Sequence, residues 1–213
     1  AISDKTVIAS SVIFLLAGFD TVKNSLVVLL HLLAANPSVQ QKLRQEIQDN
    51  VDKDGTLTYQ SLMEAKYLDA CVSETQRMVP AVGVFLERKC TKNYMVPGTE
   101  MLIEKNILVQ FSVWNLHRDE RYWSDPNTFN PDNFMPPNKK NVVMGSFLPF
   151  GIGPRNCIAQ RFALMELKIL TARMLQEFQL SVVPGREELE MKKGPILRPG
   201  DTMPIVLTPL REE

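Results

Sequence analysis

The chain has 213 residues, 45% of them hydrophobic, with 24 Lys plus Arg against 24 Asp plus Glu. That suffices for one sizeable core or two small ones, and zero net charge points to no nucleic acid or broadly acidic partner. The three cysteines, Cys71, Cys90 and Cys157, are far apart and form no CxxC pair, which excludes a disulfide framework or thiolate zinc site and fits a reducing compartment.

In chain order, the first residues show no signal-peptide pattern, and the longest apolar run, Val7 to Phe19, is too short for a membrane span. By itself the chain is therefore expected not to cross a bilayer. Ser3 or Asp4 caps a helix over about 3–35, apolar on nearly every side, which must be enclosed by other protein. Pro37 opens a second, polar helix ending near Asn50. Asp54-Gly55 marks a turn, Thr58 caps a short helix, and 67–78 reads as another helix closed by Pro80.

The texture then changes to short strands at 84–88, 94–96, 101–103 and 107–111. Between two of them, Val96-Pro97-Gly98-Thr99 has the residues of a type II turn. Residues 118–146, rich in Pro, Asn and Asp, form a long ordered meander or a linker, 159–180 a final long helix, and the tail short β segments broken by prolines.

The chemistry concentrates in "FGIGPRNCIA", residues 150–159. Gly151 and Gly153 let backbone approach a flat ligand, and Pro154 stiffens the loop. Cys157 then stands ahead of a long helix, where free N–H groups and the helix dipole favour thiolate. Arg155 can pair with an anion. A thiolate, a close-approach loop and an anion clamp together suit haem. Cys71 and Cys90 lack such surroundings and read as packed thiols.

The stretch resembles the haem-ligand signature of the cytochrome P-450 superfamily, F-x-x-G-x-R-x-C-x-G, at Phe150, Gly153, Arg155 and Cys157, with Ala159 where Gly is usual. "AGFDT" (17–21) is similar to the family's oxygen-activating motif, and "ETQR" (74–77) to its E-x-x-R. Gly18 can let the long helix bulge, and Asp20 and Thr21 can deliver the protons that splitting dioxygen requires. Glu74 and Arg77, three apart, share one helix face as a structural pair. The family usually adds a third arginine to that pair. Here "PDNF" (131–134) carries Asn133 at its place, so the triad is altered. "LERK" (86–89) places Arg88 where a second propionate partner often lies, and "VPGTEMLIEKN" carries Asn106 where Gly is common. Asn also tolerates the left-handed turn. These stretches are similar to the microsomal xenobiotic-metabolising branch, particularly its arthropod members.

The resemblance implies a mainly α fold with small β-sheets, corresponding to the C-terminal half of a cytochrome P-450 domain, so the chain is expected to be part of a longer protein. It implies haem b (iron protoporphyrin IX) ligated by Cys157, with Phe150, Gly153, Arg155, Ala159 and Arg88 around it. Phe14, Ala17, Ala81, Val82, Val84, Phe85, Ile196 and Leu197 would line the substrate pocket. The implied reaction inserts one oxygen atom from dioxygen into a small apolar substrate. Electrons would come from an NADPH-cytochrome P-450 reductase docking on the cysteine side, near Arg161 and Lys168. The implied location is the cytoplasmic face of the endoplasmic reticulum membrane, reached through an N-terminal part outside this chain. A haem-thiolate isomerase or dehydratase acting on peroxides, and a truncated non-catalytic chain, remain alternatives. His31 and His117 read as packing or surface residues.

Overall fold

Ser3 starts the first helix as its spacing predicts. The Ser3 hydroxyl accepts from the Thr6 N–H, satisfying an otherwise orphaned donor of α1 (Asp4–Ala35). The computed structural model describes residues 2–52, 54–81, 85–189, 191–192, 198–200 and 203–210. By length and composition α1 could cross a membrane, yet Val28, Leu29, Leu32 and Leu33 in its C-terminal half are buried against protein. Its N-terminal half is different: Val7, Ile13, Phe14, Leu16 and Phe19 are exposed.

Pro37 occupies the first position of α2 (Pro37–Asp49), where a missing N–H costs nothing. Thr58 and Ser61 close a reciprocal capping box on α3 (Tyr59–Glu64). α4 (Lys66–Met78) is almost wholly buried, and its first free N–H groups, of Tyr67 and Leu68, donate to the Glu46 carboxylate at 2.7 and 2.8 Å. This borrowed cap fixes α2 against α4.

Two antiparallel hairpins follow. β1 (Phe85–Lys89) pairs with β4 (Leu108–Ser112), and β2 (Tyr94–Met95) with β3 (Leu102–Ile103). The turn joining β2 and β3 has the Thr99 N–H donating to Val96 O at 3.2 Å, with Gly98 at φ +75°. Asn106 adopts φ +74°, the left-handed conformation its side chain tolerates. After the short α5 (Val113–Leu116), the 118–146 segment is ordered by turns and two short 3₁₀ helices, Pro131–Phe134 and Asn138–Asn141.

The final long helix, α6 (Gln160–Glu177), ends earlier than its sequence pattern suggests. The chain becomes extended at β5 (Phe178–Val182), which pairs antiparallel with β8 (Ile205–Pro209). Tertiary contacts override helix propensity here. Gln40 of α2 donates to Leu180 O at 2.9 Å and accepts from Leu180 N at 3.0 Å, while Arg44 donates to Leu175 O and Phe178 O. β6 (Met191–Lys192) and β7 (Arg198–Pro199) form a further short pair.

The main core lies where α1, α2, α4, α6 and β5 meet. Leu29, Leu33, Leu43, Leu68, Leu175 and Leu180 are among its fully buried aliphatics. Each contributes about 1.5–3 kcal/mol through burial. A smaller cluster of Ala70, Trp123 and Phe134, with Phe147 packed against it, holds the meander on α4. The chain is thus mainly helical with four small two-stranded sheets among the described residues.

Candidate functional site

The approach to Cys157 is a backbone device. Gly151 and Gly153 sit at φ +73° and +77°, where a side chain would be strained. Their freedom lets the chain double back, so that the Cys157 N–H donates to Phe150 O at 2.9 Å. The result is an exposed Cys157 thiol on a tight loop, three residues ahead of α6, for which Ala159 is the N-terminal cap. β1 lies beside this loop, because a Cβ on Gly151 would stand 4.0 Å from a Leu86 methyl.

Arg155, Gly153 and, on β1, Arg88 are also exposed, and Ala159 and Phe150 are half-buried. Among the described residues neither Arg155 nor Arg88 is ion-paired with a carboxylate, although Arg88 Nη1 donates to Glu87 O at 2.7 Å. Both guanidinium groups keep donors for an anionic ligand. No group of three or more His, Cys, Asp or Glu side chains among the described residues is arranged to hold a metal ion. The exposed thiol, the glycine loop and the two cations are the donor set that a planar anionic cofactor would need.

The polar residues of α1 are accommodated locally. Thr21 Oγ1 donates to Ala17 O at 2.6 Å, and Lys23 Nζ donates to Asp20 Oδ1 at 2.9 Å. α1 runs as uninterrupted α-helix through Gly18, so the expected bulge is absent. A Cβ on Gly18 would meet nothing within 4 Å. Of the expected pocket residues, Phe14, Ala17 and Phe85 are exposed and Ala81 is half-buried. Val82, Val84, Ile196 and Leu197 lie outside the described residues.

Glu74 and Arg77 form an ion pair with both side chains fully buried. Arg77 Nε and Nη2 each donate to a Glu74 carboxylate oxygen at 2.8 Å, a fork that matches the carboxylate. The remaining guanidinium donors reach meander backbone: Nη1 to His117 O at 2.8 Å and Pro126 O at 2.9 Å, Nη2 to Thr128 O at 3.3 Å. Glu74 Oε1 also accepts from the Asn130 N–H at 3.0 Å and from Asn133 Nδ2 at 3.3 Å. The altered triad position is therefore used: Asn133 supplies a neutral donor, and the corner stays a neutral pair.

One assignment changes with the structure in hand. Lys168 does not face a docking partner: its side chain is 5% exposed and its Nζ lies 3.0 Å from Asp69 Oδ1. The charge on α6 is covered because α4 presents a carboxylate to it. Arg161 remains exposed. Of the two residues read as packing or surface histidines, His117 is buried with both ring nitrogens engaged, and burial above all lowers its pKa to about 4. His31 is buried as a packing residue, its Nε2 beside Glu187 O at 3.1 Å. For Cys71, burial first and the Glu46 carboxylate second push the thiol pKa up, so it stays an inert core residue.

A mainly helical chain with an exposed cysteine on a glycine loop, backed by a buried Glu-x-x-Arg pair, has the form of a haem-thiolate protein. The family model for cytochrome P-450 matches residues 1–205, and the chain belongs to the cytochrome P-450 family. It is 39% identical over 208 residues to cytochrome P-450 3A6 of Oryctolagus cuniculus, covering 97% of this chain and 40% of that relative. It is 43% identical over 182 residues to cytochrome P-450 9e2 of Blattella germanica, covering 84% of this chain and 34% of that relative. Cytochrome P-450 3A9 of Rattus norvegicus is 40% identical over 202 residues, covering 93% and 39%. The chain thus spans two fifths or less of the length of these relatives. Membership in the family implies a haem cofactor.

Proposed function

We infer that this chain is the thiolate-bearing part of a haem monooxygenase, in which Cys157 would ligate the iron. The observation that carries the reading is the exposed thiol on a loop forced into shape by two left-handed glycines. When bound, haem b supplies the activation of dioxygen and the insertion of one oxygen atom into an apolar substrate. The chain's own residues hold, shield and supply protons. Arg155 and Arg88 pair with the two propionates, supported by their exposure and their lack of carboxylate partners among the described residues. Gly151 and Gly153 keep side chains away from the macrocycle face, and the half-buried Phe150 limits water beside the thiolate.

Thr21 and Asp20 form the proton path. Turning the Thr21 hydroxyl away from Ala17 O would free its proton for transfer, and Asp20, which is paired with Lys23, would replace it from solvent. Exposed Phe14, Ala17 and Phe85 present the apolar surface that binds substrate. Electrons come from an NADPH-dependent reductase docking on the cysteine side, where Arg161 is the exposed cation. Kinship with the named relatives supports placement at the endoplasmic reticulum membrane.

The test is a carbon monoxide difference spectrum of the reduced, intact protein. The wild type is expected to give the thiolate-type band and Cys157→Ser to lose it. An unchanged band in the variant overturns the reading.

A further inference from the structure

His117 is the one buried imidazole, among the described residues, whose two nitrogens both meet backbone of other segments. Leu148 N–H donates to Nε2 at 2.8 Å, which leaves Nδ1 protonated, and Nδ1–H donates to Arg77 O at 3.2 Å. The His117 carbonyl in turn accepts from Arg77 Nη1 at 2.8 Å. Residues 77 and 117 are thus clasped in both directions, and the free end of the imidazole holds Leu148.

Leu148 is where the chain turns into the cysteine loop. Its carbonyl accepts from Gly151 N–H at 3.2 Å, and two residues further Phe150 O accepts from Cys157 N–H at 2.9 Å. A continuous run of hydrogen bonds therefore links Glu74, Arg77, His117, Leu148 and the Cys157 loop. The ring also packs on Phe147, with centroids 5.3 Å apart, so its plane is fixed by apolar contact as well.

We propose that His117 is a positioning residue for the Cys157 loop, its imidazole transmitting the rigidity of the buried Glu74–Arg77 pair to the chain that enters the loop. The proposal rests on the haem-thiolate reading only for its effect at iron, and its effect on the loop backbone stands apart from it. A ring of the same bulk without nitrogens keeps the Phe147 contact and strips both hydrogen bonds. A glutamine can return an acceptor to the Leu148 N–H.

The experiment compares His117→Phe and His117→Gln with wild type and Cys157→Ser in the intact protein, by amide hydrogen exchange and by the reduced carbon monoxide spectrum. In His117→Phe the amides of Leu148, Gly151 and Cys157 should exchange at least tenfold faster, while those of 71–75 in α4 keep wild-type protection. The thiolate-type band should fall in proportion, and His117→Gln should restore both. Wild-type exchange at those three amides in His117→Phe, or no rescue by His117→Gln, overturns the proposal. If the wild type gives no thiolate band to begin with, the haem-thiolate reading fails instead, and the exchange result still judges His117. Should His117→Phe not fold, nitrogen NMR of the wild-type imidazole decides. A protonated Nδ1 with an accepting Nε2 is expected, and a protonated Nε2 overturns the strut.

Discussion

Replacing Glu74 with alanine removes the acceptor at the centre of the buried corner. Arg77 is fully buried, so it cannot turn to water, and its carbonyl partners at His117, Pro126 and Thr128 do not neutralise a charge. Leaving one member of a buried pair uncompensated costs about 3–5 kcal/mol. The Asn130 N–H and the Asn133 amide lose their acceptor too, but Asn130 is exposed and Asn133 half-buried, so water replaces most of that loss. Total folding stability is typically about 5–15 kcal/mol, so Glu74→Ala removes a large fraction of it. Urea denaturation of the intact protein, followed by tryptophan fluorescence and haem content, measures the effect. The midpoint should fall sharply and haem content with it. A loss below about 1 kcal/mol, the range of an exposed pair, would refute the reasoning.

Other outcomes can be measured alongside. Thr21→Ala frees Ala17 O but touches no core contact, so stability should move by less than about 0.5 kcal/mol while NADPH consumption yields severalfold less product. Full coupling would remove Thr21 from the proton path. His117 has a depressed folded pKa, so between about 4 and the ordinary 6.5 the folded chain binds fewer protons than the unfolded one. Stability should rise with pH across that window, by up to about 3 kcal/mol. The positive charges facing the ring are Arg77 and Arg118, and both oppose its protonation. His117→Gln should flatten the slope in urea midpoints taken from pH 4 to 7. Lys168→Met leaves Asp69 half-exposed, with Lys139 Nζ 3.6 Å away, so stability should change by no more than about 1 kcal/mol and reductase affinity not at all. A tenfold loss of that affinity would return Lys168 to the docking surface.

Local signals were legible wherever the physics is local. Ser3, Pro37 and Thr58 mark helix starts because each satisfies a donor or lacks one, and Gly98 and Asn106 mark turns by the backbone angle each tolerates. The site motifs were legible too, since Gly151 and Gly153 announce a loop that no other residue could form without strain. What stayed hidden depends on partners distant in sequence. α6 stops at Glu177 because β8 and the side chains of Gln40 and Arg44 capture the next residues. Lys168 reads as a surface charge until α4 brings Asp69 beside it. His117 looks idle because its two partners are backbone atoms 40 and 31 residues away, which carry no side-chain signature.

The grip of α2 on β5 has a consequence for self-association. Leu180 is directly opposite Leu207 in the β5–β8 ladder, and Phe178 opposite Pro209. The Leu180 N–H and C=O and the Phe178 C=O, which point away from β8, are taken by Gln40 and Arg44. A side-chain amide and a guanidinium thus stand where a third strand would add along Phe178–Leu180 and block pairing there. On the far edge, Pro209 has no N–H to offer, which blunts one end of β8. The outward N–H and C=O groups of β8 are then those of Ile205 and Leu207. A two-stranded sheet would ordinarily present two open edges. Here α2 supplies hydrogen-bonding groups in place of a strand along Phe178–Leu180 of one of them.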